Sequence, residues 1–405
     1  MGSLDNLDSA IALSENVQQV LKCGLSSSQD EQKELRKNVC ALAKELWLEL
    51  EESGDLVDRI IYGTQENAIL RLGLDLGIYK LLAENKRALD SRTIAMQTGA
   101  NLVLVERVMR NLAGLGHVEE RGENAFAANK FTRAFNSDKG ITGLKFSYDF
   151  AAPAWNQIPG FLKARGYRNP TDPMDTPLQR AFQSKEHFFP LMVQQNVLAD
   201  FQGLMSSYRT DRAEFLDVFP AEQHLIEGFQ VSETGHEVLM VDIGGGRGHE
   251  LLRVAEKFPA TKGRLILQDL PDVIEQALQS DRIELMAYDF FTPQPVKGAR
   301  AYYYRMIFHD WPDTKCADIL NSVASAMEPG YSKLIINDIV LPNQGASRFA
   351  VQSDMNMLAL LASMERSDTQ WHRLLASAGF EDIKIWPGTP ESVIEAKLKL
   401  ERRTS

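Results

Sequence analysis

One histidine stands where proton transfer is easiest to arrange. The run Ala301-Tyr302-Tyr303-Tyr304-Arg305-Met306 reads as a strand and leads into Ile307-Phe308-His309-Asp310-Trp311-Pro312-Asp313. Pro312 suits the first turn of a following helix. His309 therefore falls just past the carboxyl end of a strand, the side on which open α/β sheets hold their ligands. A neutral imidazole there can take a proton from a substrate hydroxyl. The plainer reading of a lone histidine is a satisfied structural residue.

Three more strand ends carry groups that suit a nucleoside ligand. The first runs into Val241-Asp242-Ile243-Gly244-Gly245-Gly246-Arg247-Gly248-His249-Glu250. Glycines at 244, 246 and 248 let the backbone turn tightly and approach a ligand closely. The dinucleotide fingerprint would need a glycine at 249, where His249 stands, and no Lys-Ser/Thr pair follows as in a P-loop. A ligand without a pyrophosphate fits better, and Asp242 suits a cationic one. The second strand ends in Gln268-Asp269-Leu270-Pro271, placing a carboxylate where a ribose is gripped through its hydroxyls. The third ends in Tyr288-Asp289-Phe290-Phe291, an acid beside a ring that can stack on an adenine. A glycine loop alone is also just a tight strand-to-helix turn. Three consecutive strand ends with suitable groups are stronger than any one.

These positions require a sheet. From residue 236 onward strands and helices alternate, the pattern of a doubly wound α/β domain. Strands are expected at 238–242, 264–269, 283–288, 301–306, 332–338 and 380–386, with a last one from Val393 to Leu400. The front of the chain is helical. Leu35, Val39, Leu42, Leu46 and Leu50 form one apolar face, and Ser26-Ser27-Ser28 separates this helix from an earlier one near Val17, Val20 and Leu21. That stripe is available to a partner subunit or to the chain's own domain.

Residues 62–135 read as three helices and a hairpin, the outline of a winged helix. Asp90 or Ser91 caps a helix that ends at Gly99. A second helix carries Leu102, Val105, Val108, Met109 and Leu112, and residues 116–126 form the hairpin. Six basic against five acidic side chains between 90 and 135 make a poor footprint for DNA, so packing or dimerisation is expected instead. Segment 140–230 is helix and loop, rich in Phe146, Tyr148, Phe150, Trp155, Phe161, Phe182, Phe188, Phe189, Met192, Phe201 and Met205. Most of these are core side chains, and some line an apolar pocket.

The composition agrees. The 405 residues exceed what one core usually serves. Lys+Arg 44 against Asp+Glu 55 gives a net charge of -11, which repels phosphate backbones and anionic membranes. No apolar run approaches the ~20 residues of a membrane span, and no basic leader suggests a signal peptide. Cys23, Cys40 and Cys316 form neither a disulfide framework nor a zinc site, which suits a reducing cytoplasm. No metal site is expected.

Taken together, the Asp-x-Gly-x-Gly-x-Gly loop, Gln268-Asp269-Leu270-Pro271 and His309-Asp310-Trp311-Pro312-Asp313 resemble the plant-type and fungal small-molecule O-methyltransferases. So do Ile336-Asn337-Asp338-Ile339-Val340-Leu341-Pro342 and Asp354-Met355-Asn356-Met357 with Met364-Glu365-Arg366-Ser367 and Trp371. The resemblance implies a helical arm (1–60), a winged-helix-like dimerisation domain (61–140), a linker and acceptor-pocket segment (141–230) and a Rossmann-like catalytic domain (231–405). It implies S-adenosyl-L-methionine over Gly244, Gly246 and Gly248 with Asp242 among its binding residues, its ribose on Asp269 beside Leu270, its adenine at Asp289 and Phe290, and Arg305 near its methionine part. It further implies that His309 is the general base, oriented by Asp338 and Glu365, for a hydroxyl of an aromatic or polyketide-like acceptor, in a cytoplasmic homodimer. Asp338 is one methylene shorter than the glutamate the family more often carries. The resemblance also admits a relative that keeps the cofactor for dehydration or pericyclic ring closure. A non-catalytic winged-helix regulator is the third reading, disfavoured by the acidic charge and the intact glycine loop.

Overall fold

The computed structural model describes residues 4–23, 29–210, 214–229 and 236–399; the serine break at 26–28 lies outside them. The chain divides into two compact units, Met1–Asn129 and Lys130–Ser405.

In the first unit, helices Leu4–Cys23 and Gln29–Leu50 pack on each other. The side chains of Leu35, Val39, Leu42 and Leu46 are half-buried, whereas Leu50 is exposed. Helix Ser53–Asp75 follows. The winged-helix outline is present. Asp90 caps helix Ser91–Thr98 by accepting from the Thr93 amide at 2.7 Å, satisfying one of the orphan donors of the first turn. Helix Leu102–Gly114 buries Val105, Val108, Met109 and Leu112. The hairpin strands are β2 (Glu119–Gly122) and β3 (Ala125–Ala127), and a short β1 (Leu89–Asp90) pairs with β3 to give the order β1-β3-β2.

The second unit is built on β4 (Val238–Ile243), β5 (Arg264–Asp269), β6 (Ile283–Ala287), β7 (Ala301–Arg305), β8 (Lys333–Asp338), β9 (Val340–Leu341), β10 (Arg366–Ser367), β11 (Phe380–Trp386) and β12 (Ser392–Leu398). Seven of these form one sheet in the order β11-β12-β8-β7-β4-β5-β6. The pairs from β8 through β6 are parallel, and β12 runs against both its neighbours. β4 and β8 are buried at every position, which is why the central strands read as near-continuous apolar runs rather than alternating ones. Alternate side chains feed two cores. Tyr302 and Tyr304 pack with Val241, Ile266 and Trp371 on one face, and Tyr303 packs with Met240, Leu267 and Phe215 on the other.

Strand order reverses between β4 and β7. A crevice opens at such a switch point, outside the carboxyl ends of the strands. The glycine loop leaves β4 there and the His309 turn leaves β7. β9 and β10 pair with each other, Arg366 opposite Val340, and so bring the segment around Glu365 to the segment following Asp338.

Candidate active site

The glycine loop forms a cradle closed below and open above. Gly244 and Gly246 have φ of 71° and 60°, conformations that favour glycine. A Cβ on Gly244 would lie 2.5 Å from Ile307 Cδ1, and one on Gly245 2.4 Å from Asp242 Cγ, so Asp242 supports the loop from within the core. A Cβ on Gly246 would meet nothing within 4 Å. That open face admits a ligand.

Asp269 is tied to this loop. Gly246 N–H donates to its Oδ2 and Leu270 N–H to its Oδ1, both at 2.8 Å. Burial raises the Asp269 pKa, with the two amides pulling the other way. A carboxylate has about four lone-pair sites, so each oxygen keeps capacity for a ribose hydroxyl. Leu270 is exposed beside it. Asp289 turns Oδ1 to the Phe291 amide at 3.0 Å. Phe290 packs edge-on against Phe291 at 4.9 Å and faces Trp311 at 6.2 Å. These groups fit a nucleoside without a pyrophosphate. Arg305 points elsewhere: its guanidinium grips Glu391 at 2.8 and 3.1 Å and Glu250 at 3.0 Å. Glu250 sits in the first turn of helix His249–Lys257, which opens from the loop, so Arg305 braces the loop from behind.

His309 lies in the 3-10 turn Phe308–Asp310 and is buried. Its Nδ1 meets Glu365 Oε1 at 3.0 Å, and Ser353 Oγ donates to the same oxygen at 2.6 Å. Asp354 Oδ1 accepts from the Glu365 amide at 3.0 Å. This is the arrangement that fixes a tautomer and stabilises an imidazolium. Asp338 meets the histidine differently from a second ring partner. It accepts from the His309 backbone N–H at 3.2 Å and from the Ile339 amide at 3.0 Å. Its short side chain ends at the backbone, holding the turn rather than the ring. His309, Asp338 and Glu365 turn ligand-type atoms within 4.8 Å of one another, but Nδ1 and Oε1 already bond each other.

Two neighbours escaped the sequence reading. Asp310 Oδ1 lies 3.4 Å from His309 Nε2; it follows His309 directly, and only the turn shows which way it faces. His187 stacks parallel to Trp311, ring centroids 5.4 Å apart and planes 8° apart. Its Nε2 is buried without a hydrogen-bond partner among the described residues, and burial lowers its pKa. No motif marks His187; its distance in sequence from Trp311 hides it. The aromatic segment is also sorted. Phe146, Phe150, Phe161, Phe188 and Met192 are core, whereas Tyr148, Trp155, Phe189 and Met205 are exposed. Trp155 Nε1 donates to Asn356 Oδ1 at 2.8 Å.

The electrostatics of His309 give a testable pH dependence. Burial works against the imidazolium, but the carboxylates of Asp310, Glu365 and Asp338 outweigh it, and the pKa is pushed up to about 10. Asp310 and Asp338 are raised as well, by burial first, with the charge of Glu365 adding to it and His309 opposing. The base-competent neutral imidazole therefore grows in as pH rises. We expect kcat/KM to climb from about pH 7 up to about pH 10 before it levels, and the limb to move to lower pH in Glu365→Gln, which removes one of the charges that raise it. A plateau already reached near pH 6.5, the range of an ordinary histidine, would contradict this.

A parallel sheet with one reversed strand, a glycine cradle at its switch point and a carboxylate-held histidine beside that cradle define an α/β enzyme that binds a nucleoside ligand. Residues 211–381 match the O-methyltransferase domain family and residues 45–138 the O-methyltransferase dimerisation domain. The methyltransferase cfoC of Aspergillus candidus is 39% identical over 365 residues, 90% of this chain and 91% of that protein. A solved pericyclic reaction enzyme is similar with a TM-score of 0.81 and 30% identity, over 97% of this chain and 100% of that one. OxaC in complex with SAH and oxaline is similar with a TM-score of 0.83 and 26% identity, over 97% and 100%. The chain belongs to the S-adenosylmethionine-dependent O-methyltransferase family. The regulator reading is thereby set aside. No helix among the described residues is long and apolar enough to cross a membrane.

Proposed function

We propose that the chain methylates a hydroxyl, phenolic in character, of an aromatic or polyketide-like natural product, with His309 as general base. The observation that carries this reading is the buried contact of His309 Nδ1 with Glu365 Oε1 at 3.0 Å, on a turn that leaves β7 next to the glycine cradle. With Nδ1 held, Nε2 is the atom that receives the acceptor's proton. A phenol has a pKa near ~10, so little phenolate exists at neutral pH, and a positioned base is worth ~10²–10⁴-fold. Glu365 stabilises the imidazolium that results. S-adenosylmethionine, when bound, supplies a methyl group already activated on a sulfonium. Gly244 and Gly246 cradle it, Asp242 supports that cradle, Asp269 and Leu270 face its ribose, Asp289 and Phe290 its adenine, and Arg305 acts through Glu250. His187 and Trp311 offer an aromatic wall to the acceptor.

A panel of phenolic and polyketide-like compounds, incubated with enzyme and S-adenosylmethionine and followed by mass spectrometry, tests the reading. A product in which a methyl group replaces the hydroxyl hydrogen, heavier by one CH2, is expected; methylation only of amines or carboxylic acids would refute it. A second reading has its own observation: the similarity to a pericyclic reaction enzyme. It predicts an isomerised or dehydrated product with the cofactor unconsumed.

We also propose a homodimer, acting in the cytoplasm. Residues 45–138 match a dimerisation domain, and helix Ser53–Asp75 exposes Val57, Ile60, Ile61 and Tyr62 in a row. Such a patch marks an interaction surface. The double variant Ile60→Glu with Ile61→Glu is expected to elute as a monomer in size-exclusion chromatography with light scattering; an unchanged dimer would place the interface elsewhere.

A further inference from the structure

Glu365 is followed by a residue with no part in the reaction described above. Arg366 is 1% exposed, yet it carries a full charge into the core. Its Nε and one terminal nitrogen reach Asp313 Oδ1 at 2.9 and 2.8 Å. The other terminal nitrogen donates to the Phe308 carbonyl at 2.8 Å. The first also donates to the Trp311 carbonyl at 2.8 Å and to Cys316 Sγ at 3.2 Å. Trp371 lies under the guanidinium at 5.4 Å. The two carbonyls flank His309 on either side. Ser363 Oγ donates to the carbonyl of His309 itself.

These contacts have a common logic. A 3-10 turn of three residues has no α-helical ladder to hold it, and its carbonyls are directed into the core rather than to solvent. The segment after helix Arg348–Leu361 supplies their donors. Ala362 reverses the chain with φ 52°, after which Ser363, Glu365 and Arg366 approach the turn together. A planar, five-donor fork serves two carbonyls and a carboxylate at once from fixed directions, which the freely rotating ammonium of a lysine does not. Stripping water from a guanidinium is costly, and its carboxylate partner Asp313 is exposed, so the pair is weak evidence for stability. Position of the turn is what the fork supplies.

We propose that Arg366 is a positioning residue that locks the 308–311 turn and so holds the His309 imidazole against Glu365, in line with the acceptor. This rests on His309 being the base.

Three variants test it: Arg366→Lys, which keeps the charge and loses the fork; Arg366→Met, which removes both; and Asp313→Asn, which loosens the fork at its exposed end and is the safeguard should the Met variant not fold. The readouts are kcat and KM, cofactor affinity by calorimetry, and the tautomer of His309 from histidine ¹⁵N spectra recorded above about pH 10, where the ring is neutral, assigned with His309→Ala. A misplacement of about 1 Å costs on the order of 10²-fold. We therefore expect kcat to fall ~10²-fold in Arg366→Met and at least ~10-fold in Arg366→Lys. In both, cofactor affinity stays unchanged and the Nδ1–H tautomer loses its dominance. Asp313→Asn shifts the same readouts less. Folded variants with wild-type tautomer and kcat within twofold would overturn the proposal. The tautomer readout does not depend on turnover, so an active His309→Ala enzyme would refute the base while leaving the lock separately testable.

Discussion

Replacing His309 with alanine is expected to lower kcat by ~10²–10⁴-fold, about 2.7–5.5 kcal/mol of transition-state stabilisation, while the affinity for S-adenosylmethionine stays within about twofold. The reason for the split is spatial. His309 leaves β7 on its own turn, whereas the cradle belongs to the β4 loop and to Asp269 at the end of β5. The side chain is held by Glu365 and, among the described residues, makes no contact on which the cradle depends. The variant also leaves the Glu365 carboxylate buried with Ser353 as its side-chain partner, so some loss of thermal stability accompanies the loss of rate. Calorimetry for binding and initial rates for turnover separate the two effects. Activity within tenfold of wild type would remove His309 from the role of base.

The second large effect concerns the cofactor. Gly246→Ala adds a methyl group that touches nothing in the protein within 4 Å, so its cost to folding is confined to a left-handed backbone position, about 1–2 kcal/mol. That same methyl group enters the face left open for the ligand. We expect affinity for S-adenosylmethionine to fall at least tenfold, about 1.4 kcal/mol or more, with the melting temperature lowered by only a few degrees. Gly245→Ala should reverse the balance. Its methyl group would press on Asp242 and Leu267 at 2.4 and 2.5 Å, and overpacking of this kind costs about 1–3 kcal/mol of stability. If Gly246→Ala binds the cofactor as tightly as the wild type, the cradle has been placed on the wrong face of the loop.

The strands were legible because each central one is an apolar run bounded by glycine, proline or acid. The expected 264–269 and 380–386 coincide with β5 and β11, and four others differ by one residue at an end; the last begins one residue earlier than expected, and its expected end at Leu400 lies outside the described residues. What stayed hidden is short or distant. β1, β9 and β10 have two residues each, too few for any period to show. Yet β9 and β10 are what bring Glu365 to His309 across 56 residues of sequence. The candidate residues could be named from their motifs, but their directions could not. Arg305 carries a charge suited to a ligand's methionine part and turns it to Glu250 and Glu391 instead. Asp338 reaches the His309 amide rather than its ring. Both outcomes depend on side-chain reach and on which neighbour a strand places within about 3 Å. Arg366 was visible only as the letter after Glu365; its role emerges once Phe308, Trp311 and Asp313 are seen around it.

The most direct test of the central claim is a single-turnover reaction with S-adenosylmethionine carrying a deuterated methyl group, quantifying S-adenosylhomocysteine and acceptor product in the same sample by mass spectrometry. The account predicts one S-adenosylhomocysteine for each acceptor molecule that gains the labelled methyl on oxygen, and neither product from His309→Ala on the same timescale. An acceptor that is converted while the labelled cofactor remains intact would contradict it, and would assign this site to ring closure or dehydration instead of methyl transfer.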